Sequence, residues 1–368
     1  MNRKIFWVIL GALFALAPLA AFGHDLPAAG AVYVMSNAPE ANQVVVFDRD
    51  FRGRLTLADS YDTGGLGSGG NVDALGSQGS LVLSANRHWL VAVNAGSNDI
   101  SVFRVRRHRL ELIGTFDSGG PFPVSLALRH NLLYVLNSDP GGSSANITGF
   151  TLDRFGQLTV LPGSTRLLGA GGFHQVGFNP RGDTLVVTQG DPTGTNAILV
   201  FGVDEDGLPD DLPTISPSAG VVPFGFIFDW REHLVVAEAG SGAVSSYDLM
   251  ADKTLEVIDA SVANGNKATC WIAGTWFGSV FTANTGSDNL SSYRVRLVNG
   301  KVNLRQAISA TGDKPIDMAT TADGRYLYVL NAGNGTVEAF RISLRGDLED
   351  LGAVAGLPLL FTQGIAVR

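Results

Sequence analysis

The chain has one cysteine in 368 residues, Cys270, so no intrachain disulfide can staple it and no thiolate cluster can hold a metal. Charged residues make up only 16%, sparse for a helix-rich chain, where Glu and Lys are abundant. Bases are fewer than acids, 26 against 34, and the formal net charge of −8 argues against a nucleic-acid binder, which needs a basic face. Beyond the amino terminus no run approaches the ~18 apolar residues of a transmembrane helix. Two nucleotide and metal signatures, Gly-x-x-x-x-Gly-Lys-Ser/Thr and His-Glu-x-x-His, are missing. The glycine-rich stretch at 64–70 joins strands and has no base beside it, so it reads as a flexible loop and not a phosphate cradle.

What the chain has is glycine, 46 residues of it, and 45% hydrophobic content, enough apolar surface to fold. Arg3 and Lys4 precede an apolar run over residues 5–21, and small residues follow up to Gly23. That is the pattern of a secretory leader cut before His24, and it predicts a periplasmic or secreted protein. An uncleaved anchor is the alternative, although the run is marginal for a span. Residues 24–368 then form one domain with no membrane contact after cleavage.

That domain is one pattern written seven times. A strand ending in Asn or a similar polar residue recurs: Val32 to Asn37, Leu90 to Asn94, Leu133 to Asn137, Leu185 to Gln189, Leu234 to Glu238, Val280 to Asn284 and Tyr326 to Asn331. The end positions lie 57, 43, 52, 49, 46 and 47 residues apart. A further strand follows each, as in Ile100 to Phe103 and Val337 to Phe340. Alternating apolar residues with turns such as Asp204 to Gly207 between them are strand and hairpin signals. Four short strands per unit of this length predict an all-β, seven-bladed β-propeller. An open solenoid or two sandwiches are the alternatives. Thr362 to Val367 resembles the innermost strands, while the chain's first strand reads as a second strand. The carboxyl-terminal strand is therefore expected to join blade one and close the ring, removing exposed edges.

Strand direction alternates within a blade, which sorts the loops onto two faces. The front receives the blade-to-blade links and the loops between second and third strands. Acids such as Asp62, Asp99, Asp139, Asp191 and Asp313 outnumber Lys267 and Lys314 there, so cationic, neutral or metal-bridged ligands are favoured. The back receives the short turns, with Arg87, His88, Arg129, His130, Arg181, Arg231, His233 and Arg325 read as solvated. His174 opens an innermost strand at the front and is a candidate general base. Gln175, Asp317 and Gln363 occupy comparable positions, and Phe224 and Trp271 would give the funnel aromatic walls suited to a sugar or lactone ring.

These repeats resemble the lactonase family of seven-bladed propellers, which includes 6-phosphogluconolactonase and carboxymuconate cyclase, and the shorter YVTN repeat seen at Leu327 to Gly333. Phrases such as Phe224 to Asp229, Cys270 to Ala273 and Pro315 to Met318 are similar to its secreted bacterial branch. The resemblance implies catalytic roles for His174, in Phe173-His174-Gln175, and for Glu238. It also marks two departures: Phe224 and Thr285 stand where the family carries arginines. Arginine forks hold carboxylates and phosphates, so their loss points away from anionic lactones. The expected activity is hydrolysis of a neutral lactone, His174 activating water and Glu238 orienting it, with Gln175 or Lys267 as candidate oxyanion partners and no cofactor. The alternatives are a non-catalytic propeller binding a ligand or protein partner, and a Ca²⁺ site on Asp73, Asp317 and Glu238.

Overall fold

The computed structural model describes residues 28–107 and 109–368; the expected leader at 1–23 and its cut site lie outside them. Seven antiparallel sheets follow one another along the chain. Blade two runs Leu81–Leu83, Trp89–Asn94, Asp99–Val105 and Leu110–Asp117, from the axis outward. Blades three to seven begin with the inner strands Pro123–Arg129, Phe173–Phe178, Pro223–Phe228, Thr269–Gly274 and Pro315–Thr320. In blade three the outer position is shared by Leu158–Val160 and Arg166–Gly169, both paired with Ala145–Leu152.

The ring closes as the sequence predicts. The strand Gly30–Met35 pairs on one side with Gln43–Arg49 and on the other with Ile365–Val367, Val34 opposite Ile365. The second strands are almost wholly buried, Trp89–Asn94 along its entire length, because both sheet faces meet neighbouring blades. Outer strands such as Leu255–Ala263 alternate between half-buried and exposed residues. That gradient is the physical origin of the repeat: uniformly apolar inside, alternating at the rim.

The polar residue ending the second strand has one structural task in six of the seven blades, Asn37 of blade one reaching the Phe361 carbonyl instead. Its side chain meets the first residue after the preceding blade's outer strand. Thr63 Oγ1 donates to Asn94 Oδ1 at 2.7 Å, and Asn137 Nδ2 donates to the Ser118 carbonyl at 3.1 Å. Asn264 Nδ2 and Thr269 Oγ1 donate to Asn284 Oδ1 at 3.1 and 2.7 Å, and Thr311 Oγ1 to Asn331 Oδ1 at 3.2 Å. A buried amide can satisfy a link's carbonyl and hydroxyl at once, which is why Asn recurs. These clamps fasten blade to blade on the front face.

Candidate functional site

The inner strands of blades three to seven each break register near their front ends. The residues set out of the ladder are Val124, His174, Phe224 with Gly225, Cys270 and Asp317. A bulge bends the strand and re-aims the unpaired side chain. Five neighbouring strands bulging at one level surround the tunnel mouth with these residues.

The tunnel itself is filled by residues 72–79, the end of the long link from blade one to blade two. Gln78 crosses to blade six: its Nε2 donates to the Ile272 carbonyl at 2.8 Å and its Oε1 accepts from the Ile272 amide at 3.0 Å. The Ser77 carbonyl accepts from Trp271 Nε1 at 2.9 Å and from Gln363 Nε2 at 2.8 Å. Ser77 Oγ donates to the Val124 carbonyl at 2.8 Å, and the Gln78 amide to the His174 carbonyl at 3.1 Å. A segment bonded at once to blades one, three, four and six sits on the axis. Phe224 and Trp271 wall this plug as buried aromatics, edge to face with centroids 5.2 Å apart.

His174 is stacked on Phe224 at 4.4 Å. Its Nδ1 lies 2.7 Å from the Gly76 carbonyl and its Nε2 3.1 Å from the Gly190 carbonyl. Burial pushes its pKa down, while the two carbonyls pull it up and do not prevail. A neutral imidazole has one N–H and one lone pair, and with a carbonyl oxygen against each ring nitrogen that lone pair faces a carbonyl and not a substrate. Base catalysis by His174 would require the ring to leave one of these partners.

The carboxyls have the opposite character. Asp73, on the plug, accepts from Gln363 Nε2 at 2.9 Å, and Asp317 accepts from the Met318 amide at 2.9 Å. Burial pushes both up to about 7, and the Asp317 charge adds to the rise at Asp73. The same burial, with the Asp73 charge behind it, drives the Cys270 thiol well up, so the lone cysteine is an un-ionised member of this cluster.

Other sequence-predicted residues are placed elsewhere. Gln175 bridges blades four and five through the Phe226 amide and carbonyl, at 2.7 and 3.1 Å. Thr285 is buried and donates to the Pro315 carbonyl at 2.7 Å, while Lys267 is exposed on the rim. Glu238 fills the clamp position of blade five: Ser218 Oγ donates to its Oε1 at 2.8 Å and Tyr247 OH at 3.3 Å. Burial raises its pKa, and its Oε2 has no hydrogen-bond partner. Glu238 therefore has inter-blade surroundings. Among the described residues no group of three or more His, Cys, Asp or Glu is placed to hold a metal.

The plug was missed in the sequence, although the 57-residue first spacing, the longest of the six, carried its signal. Gln78 and the carbonyls of Gly76 and Ser77 have no motif of their own.

A family model described as lactonase, 7-bladed beta-propeller, matches residues 27–166 and 169–358. Among solved structures, a putative 6-phosphogluconolactonase from Bacteroides fragilis is 17% identical with TM-score 0.71, covering 92% of this chain and 98% of its own. A second from Bacteroides uniformis is 18% identical with TM-score 0.69, covering 92% and 99%. The Pseudomonas aeruginosa periplasmic gluconolactonase PpgL is 16% identical with TM-score 0.70, covering 92% and 98%. No curated protein matches the chain.

Proposed function

Because this chain belongs to the lactonase family of seven-bladed β-propellers, we propose that it opens a neutral cyclic ester at the front mouth of its tunnel, in the periplasm or outside the cell. The observation that carries the reading is the pair of carboxyls, Asp73 and Asp317, both held near 7 at the same mouth. A general acid and base work best when their pKa lies near the operating pH. In a coupled pair the first proton lost makes the second harder to lose, so one carboxyl stays ionised beside a protonated partner. The ionised group takes a proton from water as the water oxygen adds to the ester carbon. The ring C–O bond then breaks, and its oxygen takes the proton of the other carboxyl.

In this reading His174 is a positioning residue that fixes the plug bearing Asp73, and Glu238 is a blade clamp. Phe224 and Thr285, in the arginine positions of the resembled family, and the Asp288 and Asp313 carboxylates around Lys314 support an uncharged ring. One solved neighbour is called a gluconolactonase, and a gluconolactone-type ring without phosphate fits these surroundings better than its phosphate ester.

The test is proton release at constant pH with neutral and phosphorylated lactones, above the spontaneous rate. Neutral turnover that peaks near pH 7, and is lost in Asp73→Asn and Asp317→Asn, is the expected result. A folded protein with no turnover on either class would favour the second reading, a non-catalytic propeller binding a ligand or protein partner. The filled tunnel and the two occupied His174 nitrogens are the observations on that side.

A further inference from the structure

The back face is built from one turn repeated around the ring. A side-chain oxygen at the end of a strand accepts the backbone amides that follow, and the next residues are pushed into solvent. Asp50 Oδ1 accepts from the Arg52 and Arg54 amides, Asp153 Oδ1 from Phe155 and Gln157, and Asp229 Oδ1 from Arg231 and His233, all at 2.7–3.0 Å. Ser343 Oγ does the same for Arg345 and Asp347, at 3.2 and 3.0 Å. Four blades thus present a large apolar residue beside an arginine at a turn tip: Phe51-Arg52, Arg154-Phe155, Trp230-Arg231 and Leu344-Arg345. The apolar members are 53%, 57%, 59% and 81% exposed, and the four arginines are exposed too. In three of them the guanidinium lies over the ring, 4.6–5.5 Å from its centroid. Trp276, 65% exposed, faces Trp230 across a cavity of about 330 Å³ lined by Ile227, Phe228 and Val295.

Together these residues leave a repeated apolar surface in water on one face of the ring. Asp50, Asp153 and Asp229 are engaged by backbone amides while the arginines beside the apolar residues are exposed on the surface, so these four tips are locally basic on a chain whose net charge is −8; the matching turn of blade four, closed by Asp204, carries Glu205 and Asp206 instead. A soluble polyanion would satisfy the arginines and leave the rings exposed. An anionic bilayer satisfies both: bases contribute about 1 kcal/mol each at its surface, and tryptophan favours the headgroup level.

We propose that the back face docks on an anionic phospholipid bilayer, with the turn tips seated among the headgroups and the acidic front mouth held away from the surface. This differs from the expectation that the domain has no membrane contact after the leader is cut. It is independent of the lactonase reading.

The experiment is vesicle flotation with the propeller from residue 24, whose ring is complete without the preceding segment. Vesicles of equal parts phosphatidylglycerol and phosphatidylcholine are compared with phosphatidylcholine alone, and dextran sulfate serves as the soluble polyanion. Binding to the anionic vesicles that weakens with salt is expected. A blue shift in tryptophan emission should accompany it, since Trp230 and Trp276 are exposed whereas Trp89 and Trp271 are buried. Reversing Arg52, Arg154, Arg231 and Arg345 to glutamate should weaken binding at least about a hundredfold, and Trp230→Ala with Trp276→Ala should remove the blue shift. The charge reversal of Lys314→Glu on the front should change neither. Absence of flotation, flotation unaltered by both back-face variants, or equal affinity for dextran sulfate without a blue shift would each overturn the proposal.

Discussion

The two faces of this propeller spend their polar residues in opposite directions. At the front, the clamp and plug side chains cross from blade to blade and from ring to plug, so their polar atoms are largely buried and many hold groups far away in sequence. At the back, polar side chains close their own turns a few residues on, and what they release is exposed. Front substitutions should therefore cost stability, and back substitutions should leave it alone and change only what the surface touches.

The largest break in that contrast should come at a front clamp. Asn284 accepts from Asn264 and Thr269 and donates to Asn289 and Ser291, all in the core. Removing one partner strands the rest, so Asn284→Ala should lower unfolding free energy by about 3–5 kcal/mol in urea titration. Next comes the plug: Gln78→Ala loses both bonds to Ile272 and should cost about 2–4 kcal/mol. If its melting temperature is unchanged, the plug does not brace the ring. Leu344→Ser at a back tip should stay within about 0.5 kcal/mol of the parent, and a larger loss would mean that the back face is braced as well.

Two pH experiments sharpen the comparison within the front. Asp73 and Asp317 carry folded-state pKa values near 7, above the ordinary 3.8. The folded state thus binds more protons than the unfolded state between these values, and stability falls as pH rises from about 4 through 7. Asp317→Asn should flatten that slope, and thermal melts across the range would detect a slope that persists. Glu238 lies in a clamp built elsewhere for an amide, its pKa raised by burial. Glu238→Gln should therefore stabilise at pH 8 and do little at pH 4; stabilisation at pH 4 alone would mean that the protonated acid is not the form the clamp prefers.

The fold was legible because each level repeats the same instruction. Apolar second strands with a closing polar residue recur seven times, and blade one is split between Gly30–Met35 and Ile365–Val367 in a way the ends of the chain display. The inner-strand openings were legible too: His174 and Asp317 are bulged residues, and Trp271 lies next to bulged Cys270. The roles were harder. Glu238 stands out in sequence only because it replaces Asn, and its partner Ser218 belongs to the preceding blade's link, twenty residues away, with no pattern tying the two. Nor does any periodicity say where a glycine-rich link goes. The course of residues 72–79 is set by carbonyls and amides found across the tunnel, and backbone groups are the same at every residue.

Those cross-tunnel partners also order events in time. Gln78 and Ser77 leave the ribosome long before Ile272, Trp271 and Gln363, with which they bond at sequence separations of 194 to 286 residues. Contacts that distant form late, after the entropy of closing the intervening chain has been met. The plug can be seated only when blade six and the closing strand have both arrived. Until then its polar groups are bound to water, and the half-made ring has no centre to collapse upon. The strand Ile365–Val367 also locks Gly30–Met35, so ring and plug are completed together.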